Sequence, residues 1–263
     1  MSNKDLANAY TRIADDYDRL AEGDAWMREF LWKRYLELFT PNAHVLDVGC
    51  GTGTDALFLG RQGRRVTGID ISPGMIDQFQ DKIKEAGLRG RVMGRELSHV
   101  ELHVLMPQRF DGILSAFAGL NTVPDLRGFA ANAAQLIRPG GHLIVHMLNR
   151  FSFYEWSLLM LDGRLRDAKD LRRKTGRTIT IGGKQIRHHL FTPRPTYKNF
   201  FAPYFDLNAA YGLGITRPPR NMEWVMPESS ARLAALERGL RNRWPFKNWG
   251  RFFILEMTRR ETA

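Results

Sequence analysis

The stretch VLDVGCGTGTD, which runs from Val45 to Asp55, decides the fold that the sequence predicts. Its apolar first half is typical of a buried β-strand, and glycines then occupy every second position at Gly49, Gly51 and Gly53. Glycine adopts the positive φ angles of a sharp strand-to-helix turn at little cost, and without a Cβ atom it lets a ligand touch the backbone. The following helix would add unpaired N–H groups. The stretch therefore predicts a strand, a ligand-binding turn and a helix.

The spacing of the glycines separates two classes of nucleotide ligand. The dinucleotide fingerprint G-x-G-x-x-G, counted from Gly49, requires glycine or alanine at a position that holds Thr54. Asp47 would repel a pyrophosphate but suits a ligand with a cationic amino group. Asp70 ends the next predicted strand, where a carboxylate can accept both hydroxyls of a ribose; its other interpretation is a helix cap. The pattern favours an amino-bearing nucleoside over NAD.

Strands alternate with helices through the first 150 residues. Strands are predicted at HVLDVG, RVTGID, RVMGREL, FDGILSAF and HLIVHML, with helical segments between them. Such alternation predicts an α/β fold with a doubly wound parallel sheet. Further along, RTITIGGKQIRHHLF predicts a hairpin, ESSARLAALERGLRNRW a helix opened by Ser229 or Ser230, and GRFFILEMTRR a final strand.

The composition of the 263 residues indicates one globular domain with an elaboration. The single cysteine, Cys50, excludes an intramolecular disulfide and a cysteine-based zinc site, and it is interpreted as a small loop residue rather than a nucleophile. The N-terminus has no apolar signal region, and no stretch reaches the roughly 18 apolar residues of a membrane span. A cytoplasmic location is therefore expected.

Positive charge is concentrated in the C-terminal part of the chain. The formal net charge is +11, and residues 164–194 hold ten Lys or Arg against two Asp. The apolar stretch FSFYEWSLLML, Phe151–Leu161, precedes this basic segment. The segment suits RNA, an acidic carrier protein, a membrane surface or a substrate with a phosphate or carboxylate, and it equally suits a solvated helix face.

Four motifs in order, VLDVGCGTG, GIDISPGMI, FDGILSAF and LIRPGGHLIV, resemble the class I S-adenosylmethionine-dependent methyltransferases. The likeness is greatest to the group that includes the ubiquinone and menaquinone biosynthesis enzymes. It implies a mostly parallel seven-stranded, Rossmann-like sheet, S-adenosylmethionine as cofactor and S-adenosylhomocysteine as product. It also implies a cofactor-binding core with N-terminal lid helices at 1–150, an inserted basic substrate cap at 151–225, and a C-terminal helix and strand at 226–263.

The resemblance also implies roles for individual residues. Asp47 would organise the cofactor's amino group, Asp70 its ribose, and Tyr17 would close over it from a lid helix, although Tyr17 also fits ordinary packing. The adenine-contacting acid of the family is replaced here by Glu96 and Leu97, which departs from the pattern. The implied cofactor-binding residues are Tyr17, Asp47, Gly49, Gly51, Gly53, Asp70, Ile71, Met75, Glu96, Leu97, Ala116 and Phe117.

Methyl transfer from a sulfonium needs alignment more than acid–base chemistry. His146 is the candidate general base, and a buried structural histidine is the alternative interpretation. His188 and His189 could reach the site from a lid, but two histidines without a third ligand do not indicate a metal.

The acceptor is predicted to be a small lipophilic or anionic metabolite. The sequence after the fourth strand lacks the Asn/Asp-Pro-Pro-aromatic motif of the enzymes that methylate amino groups of nucleic-acid bases. Cytosine-C5 methyltransferases need a catalytic cysteine after the fourth or fifth strand, and the single cysteine, Cys50, lies elsewhere. The alternatives are an RNA methyltransferase that uses the basic region and a non-catalytic cofactor-binding protein on the same scaffold.

Overall fold

The computed structural model describes residues 2–22, 25–171, 173–217 and 227–261, and for residues 227–231 it describes the backbone alone. The strands are β1 (His44–Val48), β2 (Arg65–Asp70), β3 (Val92–Glu96), β4 (Phe110–Ser115), β5 (Ile137–Leu148), β6 (Gly176–Ile181), β7 (Lys184–His189), β8 (Phe205–Leu213) and β9 (Phe252–Arg259). The helices are α1 (Asn3–Thr11), α2 (Tyr17–Ala21), α3 (Ala25–Leu38), α4 (Thr54–Arg61), α5 (Pro73–Glu85), α6 (Arg127–Leu136), α7 (Phe153–Leu161), α8 (Leu165–Leu171), α9 (Pro193–Thr196) and α10 (Pro227–Leu240).

Seven strands form the main sheet in the order β3-β2-β1-β4-β5-β9-β8. Strands β1 to β5 are parallel, whereas β9 runs antiparallel between β5 and β8. The predicted doubly wound, mostly parallel seven-stranded sheet is confirmed. The strand order reverses direction between β1 and β4, and ligands of such sheets bind beyond the carboxyl ends of the strands at that point.

The apolar character of the strands follows from burial on both faces of the sheet. Val45, Leu46 and Val48 of β1 are all buried, as expected of a central parallel strand. One core layer packs Leu46 and Val48 with α6, and the other packs Val45 with α3, α4 and α5. Helices thus cover both faces, which holds the carboxyl edge of the sheet in a fixed shape.

Helix boundaries agree with the predicted caps at α5 and differ at α10. The Ser72 hydroxyl accepts a hydrogen bond from the Met75 N–H at 3.3 Å, and Pro73 occupies the first turn. Helix α10 begins at Pro227, before the predicted Ser229 or Ser230. Proline supplies the helical φ angle without needing an N–H partner, so it can begin this helix.

The predicted cap segment, 151–225, contains a strand of the core. Strand β8 pairs with β9 along Phe205–Leu213, so the segment does not lie wholly outside the sheet. The reason is that β9 is buried along most of its length and needs hydrogen-bonding partners on both sides. The rest of the described segment contributes α7, α8, α9 and the predicted hairpin β6–β7, whereas the boundary at 225 lies outside the described residues.

No helix in the described ranges combines the length and the apolar character that a bilayer span requires.

Candidate functional site

A cleft of about 780 Å³ lies at the carboxyl ends of β1, β2 and β4. Its floor is the glycine turn, in which Gly49, Gly51 and Gly53 have φ angles of +72°, +54° and +80°. The N–H groups of Gly49 and Cys50 donate to the Ile69 carbonyl, which fixes the turn against β2. The residues that the sequence places in the site and that line this cleft are Tyr17, Gly49, Gly51, Asp70, Ile71, Met75, Leu97, Ala116 and Phe117.

The Asp70 carboxylate is held in place at the wall of the cleft. Its oxygens accept hydrogen bonds from the N–H of Gly51 at 3.0 Å and the N–H of Ser72 at 2.9 Å. Burial raises the pKa of Asp70, and these backbone donors oppose that rise. Each carboxylate oxygen has a second lone pair, so two acceptors are available to a diol in the cleft.

Two tyrosines of the N-terminal helices close the cleft over the glycine turn. The rings of Tyr10 and Tyr17 meet edge to face with centroids 6.4 Å apart. A Cβ atom built on Gly51 would lie 3.4 Å from the Tyr17 ring, so the ring packs directly on the turn. Burial raises the pKa of Tyr17 to about 12, which keeps its hydroxyl protonated at neutral pH. Tyr17, which the sequence places in a lid helix, therefore contacts the glycine turn directly.

Arg28 is the main residue of the cleft that sequence reasoning missed. Its guanidinium pairs with Asp55 at 2.5 Å, and the Trp32 indole N–H donates to the other Asp55 oxygen at 2.7 Å. The guanidinium also lies 4.2 Å from the centroid of the Phe117 ring. Asp55 is part of the quoted stretch, but Arg28 comes from α3, and only the packing of α3 on α4 brings them together.

Four predicted site residues lie outside the cleft lining: Asp47, Gly53, Glu96 and His146. Asp47 is buried beneath it, and its Oδ2 has no partner within the described parts of the chain. Burial, reinforced by Asp55, raises the pKa of Asp47 well above the usual range. Gly53 packs against Phe79 of α5. Glu96 is exposed at the end of β3, and its neighbour Leu97 lines the cleft instead.

His146 lies behind the cleft, with its side chain buried against Phe117 and Phe252. Its Nδ1 accepts the Phe117 N–H at 3.3 Å, and its Nε2 has no partner among the described residues. Burial lowers the pKa of His146 to about 3, helped by the positive charges of Arg28 and Arg251. These properties fit the structural interpretation of His146 better than that of a general base.

The buried His146 gives a testable pH dependence of stability. Between pH 6.5 and 3 the unfolded chain binds a proton at this histidine that the folded protein excludes, so stability is lost as pH falls through this range. Between pH 7.5 and 5, the free energy of unfolding of the His146→Gln variant should therefore fall by about 2 kcal/mol less than that of the wild type. Urea unfolding at both pH values measures this, and equal pH dependence in the two proteins would contradict the assignment.

A second cleft, of about 840 Å³ and mostly apolar, adjoins the first. Tyr10, Tyr17 and Phe117 line both clefts. Its remaining lining comes from the lid helices, from Phe252, and from the tip of the β6–β7 hairpin. The Arg12 guanidinium donates to the Gly182 carbonyl at 3.2 Å, which ties that tip to the lid.

Cys50, His188 and His189 do not form a reactive cluster. Burial raises the pKa of the Cys50 thiol well above its usual range, so the thiolate is disfavoured. Neither histidine lines the cleft at the glycine turn. Within the described part of the chain, no group of three His, Cys, Asp or Glu side chains is placed to hold a metal ion.

Comparison with known proteins adds family evidence to this geometry. Residues 45–141 match the family model described as a methyltransferase domain. The chain is 32% identical over 145 residues to a demethylmenaquinone methyltransferase of Tropheryma whipplei, covering 54% of this chain and 58% of that protein. It is 35% identical over 117 residues to a ubiquinone biosynthesis O-methyltransferase of Coxiella burnetii, covering 44% and 48%. The chain thus spans about half the length of these relatives.

The fold is shared over nearly the whole chain with a solved structure. The CcbJ methyltransferase from Streptomyces caelestis superposes with a TM-score of 0.62 at 16% identity, covering 97% of this chain and 98% of that chain. Likeness at this identity shows the fold alone. Residues 45–141 match a methyltransferase domain, and the chain is similar to S-adenosylmethionine-dependent methyltransferases.

Proposed function

We propose that this protein transfers a methyl group from S-adenosylmethionine to a small lipophilic metabolite. The observation that carries the proposal is the shared wall between the two clefts, formed by Tyr10, Tyr17 and Phe117. One cleft offers a bare glycine turn and a fixed carboxylate to a nucleoside, and the other offers apolar surface to an acceptor. The two relatives described above are named a demethylmenaquinone methyltransferase and a ubiquinone biosynthesis O-methyltransferase, and these names support a small-molecule acceptor.

The cofactor site combines groups of the right chemistry for each part of the ligand. Asp70 would accept the ribose hydroxyls, Ile71 and Leu97 would pack on the adenine, and the glycine turn would lie beneath the methionine portion. Arg28 is the cation in the described lining, so it would hold the cofactor's carboxylate. Asp47 would act on the amino group through the turn above it. When bound, the cofactor supplies an activated methyl group on a sulfonium.

The role of Arg28 predicts a selective loss of affinity. We expect Arg28→Gln to weaken S-adenosylhomocysteine binding roughly tenfold, because one charge-assisted hydrogen bond is lost. Binding of methylthioadenosine, which has no carboxylate, should change little. The ratio of the two calorimetric affinities corrects for damage caused by unpairing the buried Asp55. Equal weakening of both ligands would contradict the assignment.

Catalysis in this proposal rests on alignment. The residues that separate the clefts would hold acceptor and methyl group in line and exclude water, which supplies much of the rate enhancement by raising effective molarity. His146 is buried behind Phe117 and has a strongly lowered pKa, so it is a weak base. We therefore propose an acceptor that ionises readily, such as a phenol or an activated carbon acid.

We propose that the described parts of α7, α8 and the β6–β7 hairpin act as the substrate cap, since the hairpin tip lines the acceptor cleft. We place the activity in the cytoplasm. The RNA, carrier-protein and membrane contacts that the basic segment suits are alternatives to a small-molecule partner, and a non-catalytic cofactor-binding protein is the alternative to an enzyme.

The test is methyl transfer itself. The protein would be incubated with methyl-labelled S-adenosylmethionine and a panel of alkylated phenols and hydroquinones, and labelled products would be sought by mass spectrometry. We expect turnover with apolar phenols, and Ile13→Glu should raise KM for them without changing S-adenosylhomocysteine affinity, because Ile13 lines only the apolar cleft. Cofactor binding without turnover of any acceptor would favour the non-catalytic alternative.

A further inference from the structure

A third cavity, of about 330 Å³, lies where the end of β5 meets the basic cap segment. Four of its lining side chains are cations: Arg150, Lys174, Arg177 and Arg251. Glu155 is the one carboxylate in the described lining, and it already pairs with Arg177 at 2.7 Å. Neither Arg150 nor Lys174 has a carboxylate partner among the described residues. The cavity therefore has a strong excess of positive charge.

Two residues that line this cavity carry buried polar atoms with unused hydrogen-bonding capacity. The Nε of Arg150 is buried and donates to no described residue. Asn149 is 5% exposed. Its side-chain N–H₂ donates to the carbonyls of Asn248 and Gly250, at 2.8 and 2.9 Å, whereas no described residue donates to its Oδ1. Buried donors and acceptors are nearly always satisfied in folded proteins, so unused ones in a cavity indicate a ligand's polar groups.

The cations come from separate parts of the chain and are held by the backbone. The Arg150 N–H donates to the Phe191 carbonyl at 2.7 Å, and the Asn149 N–H donates to the Arg251 carbonyl at 2.9 Å. Lys174 lies in the loop between α8 and β6, and Arg177 is the second residue of β6. A site assembled in this way differs from a run of like charges on one exposed helix face.

We propose that this cavity binds a phosphate group. The cavity offers several guanidinium and ammonium donors, and its one carboxylate, Glu155, is already paired with Arg177. This arrangement matches a doubly charged anion with several acceptor oxygens, and Arg pairs with phosphate in a bidentate manner. The phosphate could belong to a free ion or to the acceptor, because Leu148 lines this cavity while its strand partner Phe252 lines the apolar cleft. The ion site does not rest on the methyl-transfer proposal.

Calorimetric titration of the full chain with inorganic phosphate tests the site at low ionic strength. We expect Lys174→Gln to weaken phosphate binding roughly tenfold, as loss of one charge-assisted contact predicts. Lys169→Gln is the matched control, since it removes the same charge from the same exposed segment but does not line the cavity. Lys174 is itself exposed, so its replacement should leave the fold intact, and a melting curve would verify this.

Octyl phosphate identifies the source of the phosphate. Binding much tighter than that of inorganic phosphate would support a lipophilic phosphate ester whose tail reaches the apolar cleft, and equal binding would support a free ion. No phosphate binding by the wild type at about 10 mM would overturn the proposal. Equal losses of phosphate affinity in the Lys174→Gln and Lys169→Gln variants would also overturn it. Binding of an RNA oligonucleotide without any binding of phosphate would overturn it as well. S-adenosylhomocysteine affinity, measured separately, keeps this result distinct from the methyl-transfer test.

Discussion

Replacing Asp70 by alanine is expected to lower S-adenosylhomocysteine affinity at least a hundredfold. The carboxylate would accept both ribose hydroxyls, and each charge-assisted hydrogen bond contributes about 1.5–3 kcal/mol. Asp70 also fixes the glycine turn through the Gly51 N–H, so its loss would loosen the floor of the cleft as well. Calorimetry on the wild type and the variant measures the change, and Asp70→Asn, which keeps one acceptor oxygen, should lie between them.

Glu96 provides the matched control for this experiment. It pairs in register with Asp70 on the adjacent strand and ends β3 as Asp70 ends β2, but it is exposed and does not line the cleft. Glu96→Ala should therefore leave affinity unchanged within about twofold. A large effect at Glu96 together with a small one at Asp70 would mean that the ligand lies differently from this account.

Gly53→Ala is expected to destabilise the fold strongly. A Cβ atom at Gly53 would lie 1.9 Å from Cδ2 of Phe79, and the residue has a φ angle of +80°. Positive φ costs a non-glycine residue about 1–2 kcal/mol, and overpacking a filled core adds about 1–3 kcal/mol. The free energy of unfolding should fall by about 2–5 kcal/mol in urea titrations.

Gly49 separates the two contributions to that loss. It also has a positive φ angle, +72°, but the nearest atom to an added Cβ is Cα of Gly119 at 3.7 Å. Gly49→Ala should therefore show only the backbone cost. If the clash at Gly53 is real, Phe79→Leu should cost less stability in the Gly53→Ala background than in the wild type. Equal destabilisation at Gly49 and Gly53 would show that Phe79 does not confine the turn.

The sequence predicts most of this fold because its local signals agree with one another. The glycine turn needs positive φ at three alternate positions, and the structure has it at each of them. Ser72 and Pro73 mark the start of α5 both in the sequence pattern and in the structure. Local signals do not predict that β8 belongs to the main sheet, because this is decided by its pairing with β9, about 45 residues away in the chain.

The candidate site was less predictable where distant elements meet. Arg28 lies on α3, and no local feature of the sequence distinguishes it from the other arginines; its pairing with Asp55 is visible only in the structure. The tip of the β6–β7 hairpin contacts the lid about 170 residues before it in the chain, which no spacing rule anticipates. By contrast Asp70 and Ile71 follow directly from the end of a predicted strand, and both line the cleft.

The most direct test of the central claim is calorimetric titration of the wild-type protein with S-adenosylhomocysteine, beside an identical titration with NAD. We expect one S-adenosylhomocysteine to bind per chain with a dissociation constant below about 1 mM, and NAD not to bind. Absence of S-adenosylhomocysteine binding, or equal binding of NAD, would contradict the assignment of the glycine turn and Asp70 to a methyltransferase cofactor.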